Sequence, residues 1–103
     1  MSVLTVDGEF DAEQVAAARE KMRAMLDERQ VVDHVADLTR CGFVSSEGLE
    51  FLLWLKRRAE EMLGRVKLAG CDDNVLKILE MTRLRSRFEC IPNVEAAVRQ
   101  MRA

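Results

Sequence analysis

The chain has 103 residues, of which 49% are hydrophobic and 33% are charged, and its formal net charge is -2. A chain of this length can bury a core without disulfides or metals, so the composition predicts one domain over residues 1–103. The nearly balanced charge excludes the global basic field that concentrates nucleic acid. Because no signal-peptide pattern or membrane-spanning apolar run is present, we expect a cytoplasmic protein with no membrane insertion.

The cysteines and the single histidine match no metal or catalytic pattern. Cys41, Cys71 and Cys90 are widely spaced, no C-x-x-C pair occurs, and His34 is the only histidine. We therefore expect no enzyme activity, no catalytic residue, no metal and no cofactor. We expect all three cysteines to be small, buried apolar residues of a protein in a reducing compartment. The alternative is a reactive thiol at Cys71, which lies in a G-C-D-D segment next to a predicted helix start.

The first part of the chain alternates strand and helix patterns. Residues 2–6 predict a short strand, and Asp7-Gly8 is typical of a turn. An apolar stripe predicts an amphipathic helix over residues 11–28, which begins with Asp11 as its cap. The valine-rich residues 31–38 predict a second strand, with His34 on a strand side at a surface or loop edge.

The second part repeats this alternation. The longest predicted helix covers residues 47–63, with Gly64 as its left-handed C-cap. The remaining predicted elements are strand 65–69, helix 74–82, strand 88–91 and a terminal helix after Pro92. Four strands alternating with four helices predict a single α/β domain with a mostly parallel four-stranded sheet and right-handed crossovers. Functional loops lie at the carboxyl ends of such strands, and Ser45-Ser46 is one of these loops.

The central stretch, residues 37–49, reads D-L-T-R-C-G-F-V-S-S-E-G-L and joins an apolar strand to the longest helix. The first N–H groups of a helix have no intrahelical partner and carry partial positive charge, so Ser45 or Ser46 can cap them. A phosphate is also stabilised at such a position. The alternative is a plain serine N-cap with Gly48 allowing close packing.

On a helical wheel, Leu53 and Trp54 fall outside the apolar face of the longest helix, on the predicted solvent face with Glu50 and Arg58. Because Trp and Arg often anchor protein interfaces, Trp54 and Arg58 are candidate partner contacts. The alternative is that Trp54 packs against a chain terminus or a neighbouring loop.

Four segments, in order, resemble the STAS domains, the fold of sulfate transporters and anti-sigma factor antagonists. Residues 8–11 (G-E-F-D) are similar to the family's G-E-L-D entry to the first helix, and residues 37–39 (D-L-T) to its D-L-S strand end. Residues 44–49 (V-S-S-E-G-L) resemble its central I-S-S-A-G-L or I-D-S-S-G-L turn, and residues 88–97 its closing strand and helix. The resemblance covers almost the whole chain.

This resemblance implies a partner-switching regulator of transcription in a bacterium. In anti-sigma factor antagonists, a serine of the central turn is phosphorylated by a partner that is both kinase and anti-sigma factor, and the unmodified form binds that partner. Aligned on Gly48, this serine falls at Ser46, with Ser45 as the second choice. The predicted partner-binding residues are Ser45, Ser46, Glu47, Glu50, Trp54 and Arg58.

Other functions remain open. A structural STAS subunit of a larger assembly, lipid-transport or stressosome-like, would use the same helix for docking without serine chemistry. A small enzyme using Cys71 or His34 would lack a nucleophile with its base and orienting group. The family usually begins with an additional edge strand, so we also expect the open sheet edge to be covered by a homodimer partner or a charged rim.

Overall fold

The computed structural model describes residues 1–102, which form a parallel sheet with helices on both faces. The elements are β1 (Ser2–Phe10), α1 (Ala12–Arg23), β2 (His34–Val44), α2 (Ser46–Glu61), β3 (Val66–Ala69), α3 (Asp73–Met81), β4 (Glu89–Ile91) and α4 (Val94–Arg102). All three strand pairings are parallel, in the order β1-β2-β3-β4. The predicted sheet with four alternating helices is confirmed, and its three pairings are parallel throughout the described part of the chain.

The helices divide unequally between the two faces of the sheet. Helices α1, α2 and α3 share the larger core cluster, which contains Leu68 of β3, whereas α4 covers a smaller cluster with Val35 and Ala69. This division follows from the strand period, because neighbouring strand residues point to opposite faces. The larger face therefore carries most of the packing that positions the ends of β1, β2 and β3.

The predicted turn at Asp7-Gly8 is wrong, and strand β2 is longer than predicted. Strand β1 continues through Gly8 to Phe10, paired with β2, and register shifts occur between Thr5 and Asp7 and between Gly8 and Glu9. Bulges of this kind accommodate turn-prone residues without ending a strand. Since β3 pairs with β2 only as far as Asp37, residues 7–10 and 40–44 form a two-stranded β1–β2 extension.

The predicted surface position of His34 is also wrong. Its side chain is 0% exposed, and Nδ1 lies 2.6 Å from Oγ of Ser2, its register partner on β1. The other ring nitrogen, Nε2, is buried without a hydrogen-bond partner among residues 1–102. Burial lowers the pKa of His34 below its ordinary value, because the charged imidazolium loses hydration. His34 thus ties the starts of β1 and β2 together.

The predicted left-handed C-cap lies one residue earlier than expected. Leu63, not Gly64, has the positive φ, at 63°, and its side chain is 94% exposed. Gly64 instead lies against the loop that precedes β2, where a Cβ atom would stand 2.0 Å from the carbonyl oxygen of Val32. Gly64 is therefore needed because a side chain would not fit there. A glycine after a helix is found for either reason, close packing or a left-handed cap, so the sequence alone does not tell which one applies.

Candidate functional site

The junction between β2 and α2 is fixed by the side chain of Ser45. Ser45 is the N-cap of α2, and its Oγ accepts a hydrogen bond from the Gly48 N–H at 3.2 Å. The same hydroxyl donates to the carbonyl oxygen of Phe10 at 3.0 Å, and the Ser45 N–H donates to that oxygen at 3.1 Å. Ser45 therefore joins the end of β1 to the start of α2, and its hydroxyl is used both as donor and as acceptor.

Ser46 is the first residue of α2, and its surroundings differ from those of Ser45. Its side chain is exposed, and the hydroxyl makes no side-chain hydrogen bond within residues 1–102. It stands at the positive end of a 16-residue helix. Of the two serines named by the sequence pattern, Ser46 is exposed and Ser45 is half-buried with its hydroxyl in two hydrogen bonds.

Gly48 explains how the junction comes so close to β1. A Cβ atom there would lie 2.6 Å from the carbonyl oxygen of Phe10 and 2.8 Å from Cγ1 of Val44. Both distances are too short for a real side chain, so only glycine lets the first turn of α2 lie directly on the ends of β1 and β2. The predicted close packing at Gly48 is confirmed.

A groove between α1 and α2 begins beside Ser46. Its volume is about 800 Å³, and Glu47 and Glu50 of α2 form part of its wall. The charged lining residues are two arginines and five acids: Arg19, Arg23, Glu20, Asp27, Glu28, Glu47 and Glu50. The surface next to the exposed serine is therefore predominantly acidic.

Trp54 does not lie on an open solvent face, so that part of the prediction is wrong. The indole is half-buried, with its ring 5.7 Å from that of Phe51, and the Arg19 guanidinium lies 4.9 Å from its centroid. Arg58 donates to Oδ1 of Asp27 at 2.8 Å, in the π-helical turn Ala24–Glu28 that continues α1. Both side chains therefore hold α2 against α1 and this π-helical turn. The freely exposed residues of the predicted set are Ser46, Glu47 and Glu50.

The three cysteines have three different surroundings. Cys41 is buried, its Sγ donates to the carbonyl oxygen of Phe43 at 3.2 Å, and burial raises its pKa. A hydrogen bond with Cys90, together with burial, raises the pKa of Cys71, while the same bond lowers the pKa of Cys90 to about 7. The pKa of Cys71 is thus raised, which is the opposite of what a stabilised thiolate at this position requires.

The described residues contain no metal cluster and no membrane-crossing helix. Within residues 1–102, no group of three or more His, Cys, Asp or Glu side chains is arranged to hold a metal ion. None of the helices in that range combines the length and the apolar composition needed to cross a bilayer.

Comparison with known proteins places these features in a family context. Residues 1–91 match the family model described as "Mlab, STAS domain". No curated protein sequence matches significantly. Among solved structures, the chain is similar to the anti-sigma factor antagonist SpoIIAA in its unphosphorylated form, with 24% identity over 98% of this chain and 88% of that one and a TM-score of 0.87.

Two further structures share the fold. The Bacillus cell fate determinant SpoIIAA in its phosphorylated form is 22% identical over 96% of this chain and 89% of that one, with a TM-score of 0.78. A sulfate transporter family protein from Wolinella succinogenes is 13% identical over 98% of this chain and 84% of that one, with a TM-score of 0.82. At these identities, the structural likeness shows the fold alone.

Proposed function

We propose, on the premise that this chain belongs to the STAS domain family, that it is an anti-sigma factor antagonist-like regulator. It binds a protein that is both serine kinase and anti-sigma factor, and phosphorylation of Ser46 switches this binding off. The observation that carries the proposal is the contrast at the β2–α2 junction: Ser45 uses its hydroxyl to fix the fold, whereas the hydroxyl of Ser46 is exposed. A structural relative, SpoIIAA, is known in unphosphorylated and phosphorylated forms.

Phosphorylation of Ser46 would change the surface and leave the fold intact. A phosphoserine adds about -1.5 to -2 charges near pH 7, and the helix N-terminus partly stabilises such an anion. Glu47 and Glu50 are exposed beside it, so the added charge falls on a surface that is already acidic. A bulky, strongly hydrated group there blocks the close approach of a partner that docks on the unmodified hydroxyl.

The proposed docking surface comprises the start of α2 and the adjoining groove. Ser46, Glu47 and Glu50 are its exposed centre, and Ser45 supports them from below as the helix cap. Trp54 and Arg58 lie farther along α2, where Trp54 contacts Arg19 of α1 and Arg58 contacts Asp27 of the π-helical turn after α1. We therefore expect partner contacts to be dominated by the first turn of α2, with Trp54 and Arg58 acting mainly by holding that helix in place.

The test is an affinity capture from the source cells with wild-type, Ser46→Ala and Ser46→Glu proteins. Bound proteins and the phosphorylation of Ser45 and Ser46 are identified by mass spectrometry. We expect the wild type and Ser46→Ala to capture a kinase-like protein, Ser46→Glu to lose it, and phosphate to occur on Ser46. Ser86→Glu is the matched control, because Ser86 is also exposed but lies in the turn between α3 and β4.

A second candidate is a structural STAS subunit of a larger assembly, lipid-transport or stressosome-like, without serine chemistry. The observation that favours it is the description of the matching family model, which names the Mlab STAS domain. Under this function, Ser46→Glu and Ser86→Glu would both capture the same scaffold or membrane proteins as the wild type, and no phosphate would be found. That result would contradict the phosphorylation switch and support the structural subunit.

We further propose that a second copy pairs with the free edge of β1. Strand β1 spans nine residues at one edge of the sheet, whereas the opposite edge strand, β4, spans only three. A long unpaired edge invites strand pairing, although exposed Asp7 and Glu9 would also serve as a protective charged rim. Sedimentation at increasing concentration should show a dimer. A monomer at every concentration would favour the charged rim.

A further inference from the structure

The groove between α1 and α2 extends along the whole of α1. Its lining begins at Ala12, the first residue of α1, and ends at Glu28, the last residue of the π-helical turn. At about 1.5 Å per residue, this part of the chain is about 24 Å long. A helix of roughly four turns has the same length, so the groove can accommodate one side of an added helix.

Two contacts join the helices that form the walls of the groove. The Arg19 guanidinium of α1 lies 4.9 Å from the centroid of the Trp54 ring of α2. Near the far end, Arg58 of α2 donates to Oδ1 of Asp27 at 2.8 Å. The walls are therefore held together without a ligand, and the groove is already formed in the free chain.

The charges along the groove are unbalanced. Five of the lining residues are acids and two are arginines. Asp27 is the one acid of the five that forms an ion pair within residues 1–102. The remaining four acids are exposed, two on the α1 side and two on α2: Glu20, Glu28, Glu47 and Glu50. Because like charges around a concave surface repel one another, the groove favours an occupant that carries positive charge.

The sign and the shape of the groove favour one kind of occupant. Nucleic acids and anionic lipid headgroups carry negative charge and are repelled by an acidic surface. An amphipathic helix with lysine or arginine can instead place small apolar side chains on Ala12 and Ala16, which are exposed in the lining, and its cations against the glutamates. Both walls are helices, so such a helix would pack as a third one beside them.

We propose that the groove between α1 and α2 binds a lysine- or arginine-rich amphipathic helix of a partner protein. Under the proposed function this partner is the kinase and anti-sigma factor, so the identity of the partner rests on that function, whereas the chemistry of the groove does not. Ser46 lies outside the lining. A phosphate on Ser46 would block docking at the start of α2, but its negative charge would not repel a basic helix. The groove is therefore a second contact, which phosphorylation does not switch off.

The test uses the purified chain and a synthetic peptide of about 16 residues, made of lysine, alanine and leucine with the lysines on one side of its helix. The peptide carries a fluorophore, and its anisotropy gives the dissociation constant. Trp54 is the only tryptophan of the chain and contacts Arg19 of the groove, so its emission supplies a second signal. We expect one peptide per chain and an affinity that falls as NaCl is added. A scrambled peptide of the same composition should bind about tenfold more weakly.

Two alanines of α1 provide a matched pair that locates the peptide on the chain. Ala16 and Ala17 are both exposed, but Ala16 lines the groove and Ala17 lies on the β1 side of the helix. Ala16→Arg adds bulk and positive charge inside the groove and should weaken binding about tenfold. Ala17→Arg adds the same side chain outside the groove, and we expect the dissociation constant to stay within about twofold of the wild type.

The glutamates provide a second matched pair. Glu20→Gln together with Glu50→Gln removes one charge from each wall and should weaken binding about fivefold. Glu61→Gln together with Glu95→Gln removes two exposed charges that lie outside the lining, so the affinity should not change. Circular dichroism of each variant checks that the helices are retained.

The proposal is overturned if the peptide does not bind, if the scrambled peptide binds equally well, or if both alanine variants weaken binding to the same extent. It is also overturned if the chain self-associates and the peptide abolishes this, because the groove would then belong to a second copy. Ser46→Glu should bind the peptide at least as tightly as the wild type. Absence of phosphate on Ser46 in cells would contradict the proposed function but leave these binding results unchanged, so the two proposals fail separately.

Discussion

The two strand-to-helix junctions, β2–α2 and β3–α3, have N-caps with the same hydrogen-bond pattern, but the residues around the two caps differ. Ser45 accepts a hydrogen bond from the N–H three residues on, at Gly48, and Asp72 does the same from Val75. The residue that donates is buried in both cases, yet it is glycine in one junction and valine in the other. The difference arises because α2 begins directly against the end of β1, while α3 begins where a valine side chain has room.

An N-cap fixes the backbone of a strand-to-helix junction but does not determine which neighbouring side chain is exposed. At the β2–α2 junction the residue after the cap, Ser46, presents an exposed hydroxyl. At the β3–α3 junction the residue before the cap, Cys71, is half-buried and packs against the larger core cluster. The exposure of the residues next to the cap therefore depends on the elements packed around the junction, rather than on the cap itself.

Gly48→Ala should have the largest effect, because it places a Cβ atom against the carbonyl oxygen of Phe10. We expect a loss of about 3 kcal/mol in the free energy of unfolding, measured by urea denaturation. Gly42→Ala is the control, since a Cβ atom at Gly42 meets nothing within 4 Å. If Gly48→Ala instead stabilised the protein by about 1 kcal/mol, as for an ordinary helical glycine, the close approach of α2 to β1 would be refuted.

Loss of the cap should cost more at the first junction than at the second. Ser45→Ala removes both the cap and the hydroxyl bond to Phe10, so we expect a loss of about 2 kcal/mol. Asp72→Ala removes the cap alone and should cost about 1 kcal/mol. Urea denaturation of both variants tests this order. Equal losses would mean that the bond to Phe10 does not stabilise the junction.

Cys90, on the strand β4 that pairs with β3, should titrate near neutral pH. Because the pKa of Cys90 is about 7, its thiolate fraction and its alkylation rate should fall about tenfold between pH 8 and pH 6. A thiol with an ordinary pKa of about 8.5 loses roughly 75-fold over the same range, so the profile distinguishes the two cases. Iodoacetamide labelling read by peptide mass gives the profile. Cys71→Ala, which removes the hydrogen-bond donor, should move the profile toward the ordinary one and slow labelling at pH 7 several-fold.

Ser46→Ala should have the smallest effect on stability. Because Ser45, not Ser46, is the cap, we expect a change within about 0.5 kcal/mol in the free energy of unfolding. A loss as large as that of Ser45→Ala would show that Ser46 takes part in capping, which would weaken its assignment as the free hydroxyl. Urea denaturation of the two variants side by side makes the comparison.

The alternation of strands and helices, and the order of the family-like segments, could be predicted from the sequence. The choice between Ser45 and Ser46 could not be made from their local residues, since serine is a good cap at either position. It depends on Phe10, 35 residues earlier, whose carbonyl accepts from Ser45. The resemblance to the family implies Ser46, and phosphorylation of this serine stays a prediction.

The errors in the sequence analysis have similar long-range causes. Trp54 falls off the apolar face of an ideal wheel, but α2 packs against both the sheet and α1, so its buried arc is wider than one stripe. His34 is polar but lies opposite Ser2, which supplies a buried partner. Asp7-Gly8 has the composition of a turn, yet pairing with β2 keeps it extended. None of these partners is adjacent in sequence.

The carbonyl of Phe10 connects the first strand in the chain to the first turn of α2, and this has a kinetic consequence. Helix ends commonly fray by themselves, which exposes their first amides to hydrogen exchange. Here the anchoring serine is bound to β1, and Gly48 lies against the same carbonyl. We therefore expect the amide hydrogens of Ser45 and Gly48 to exchange together with those of β1 near Phe10, as one cooperative unit. The amides at the opposite end of α2 should exchange sooner.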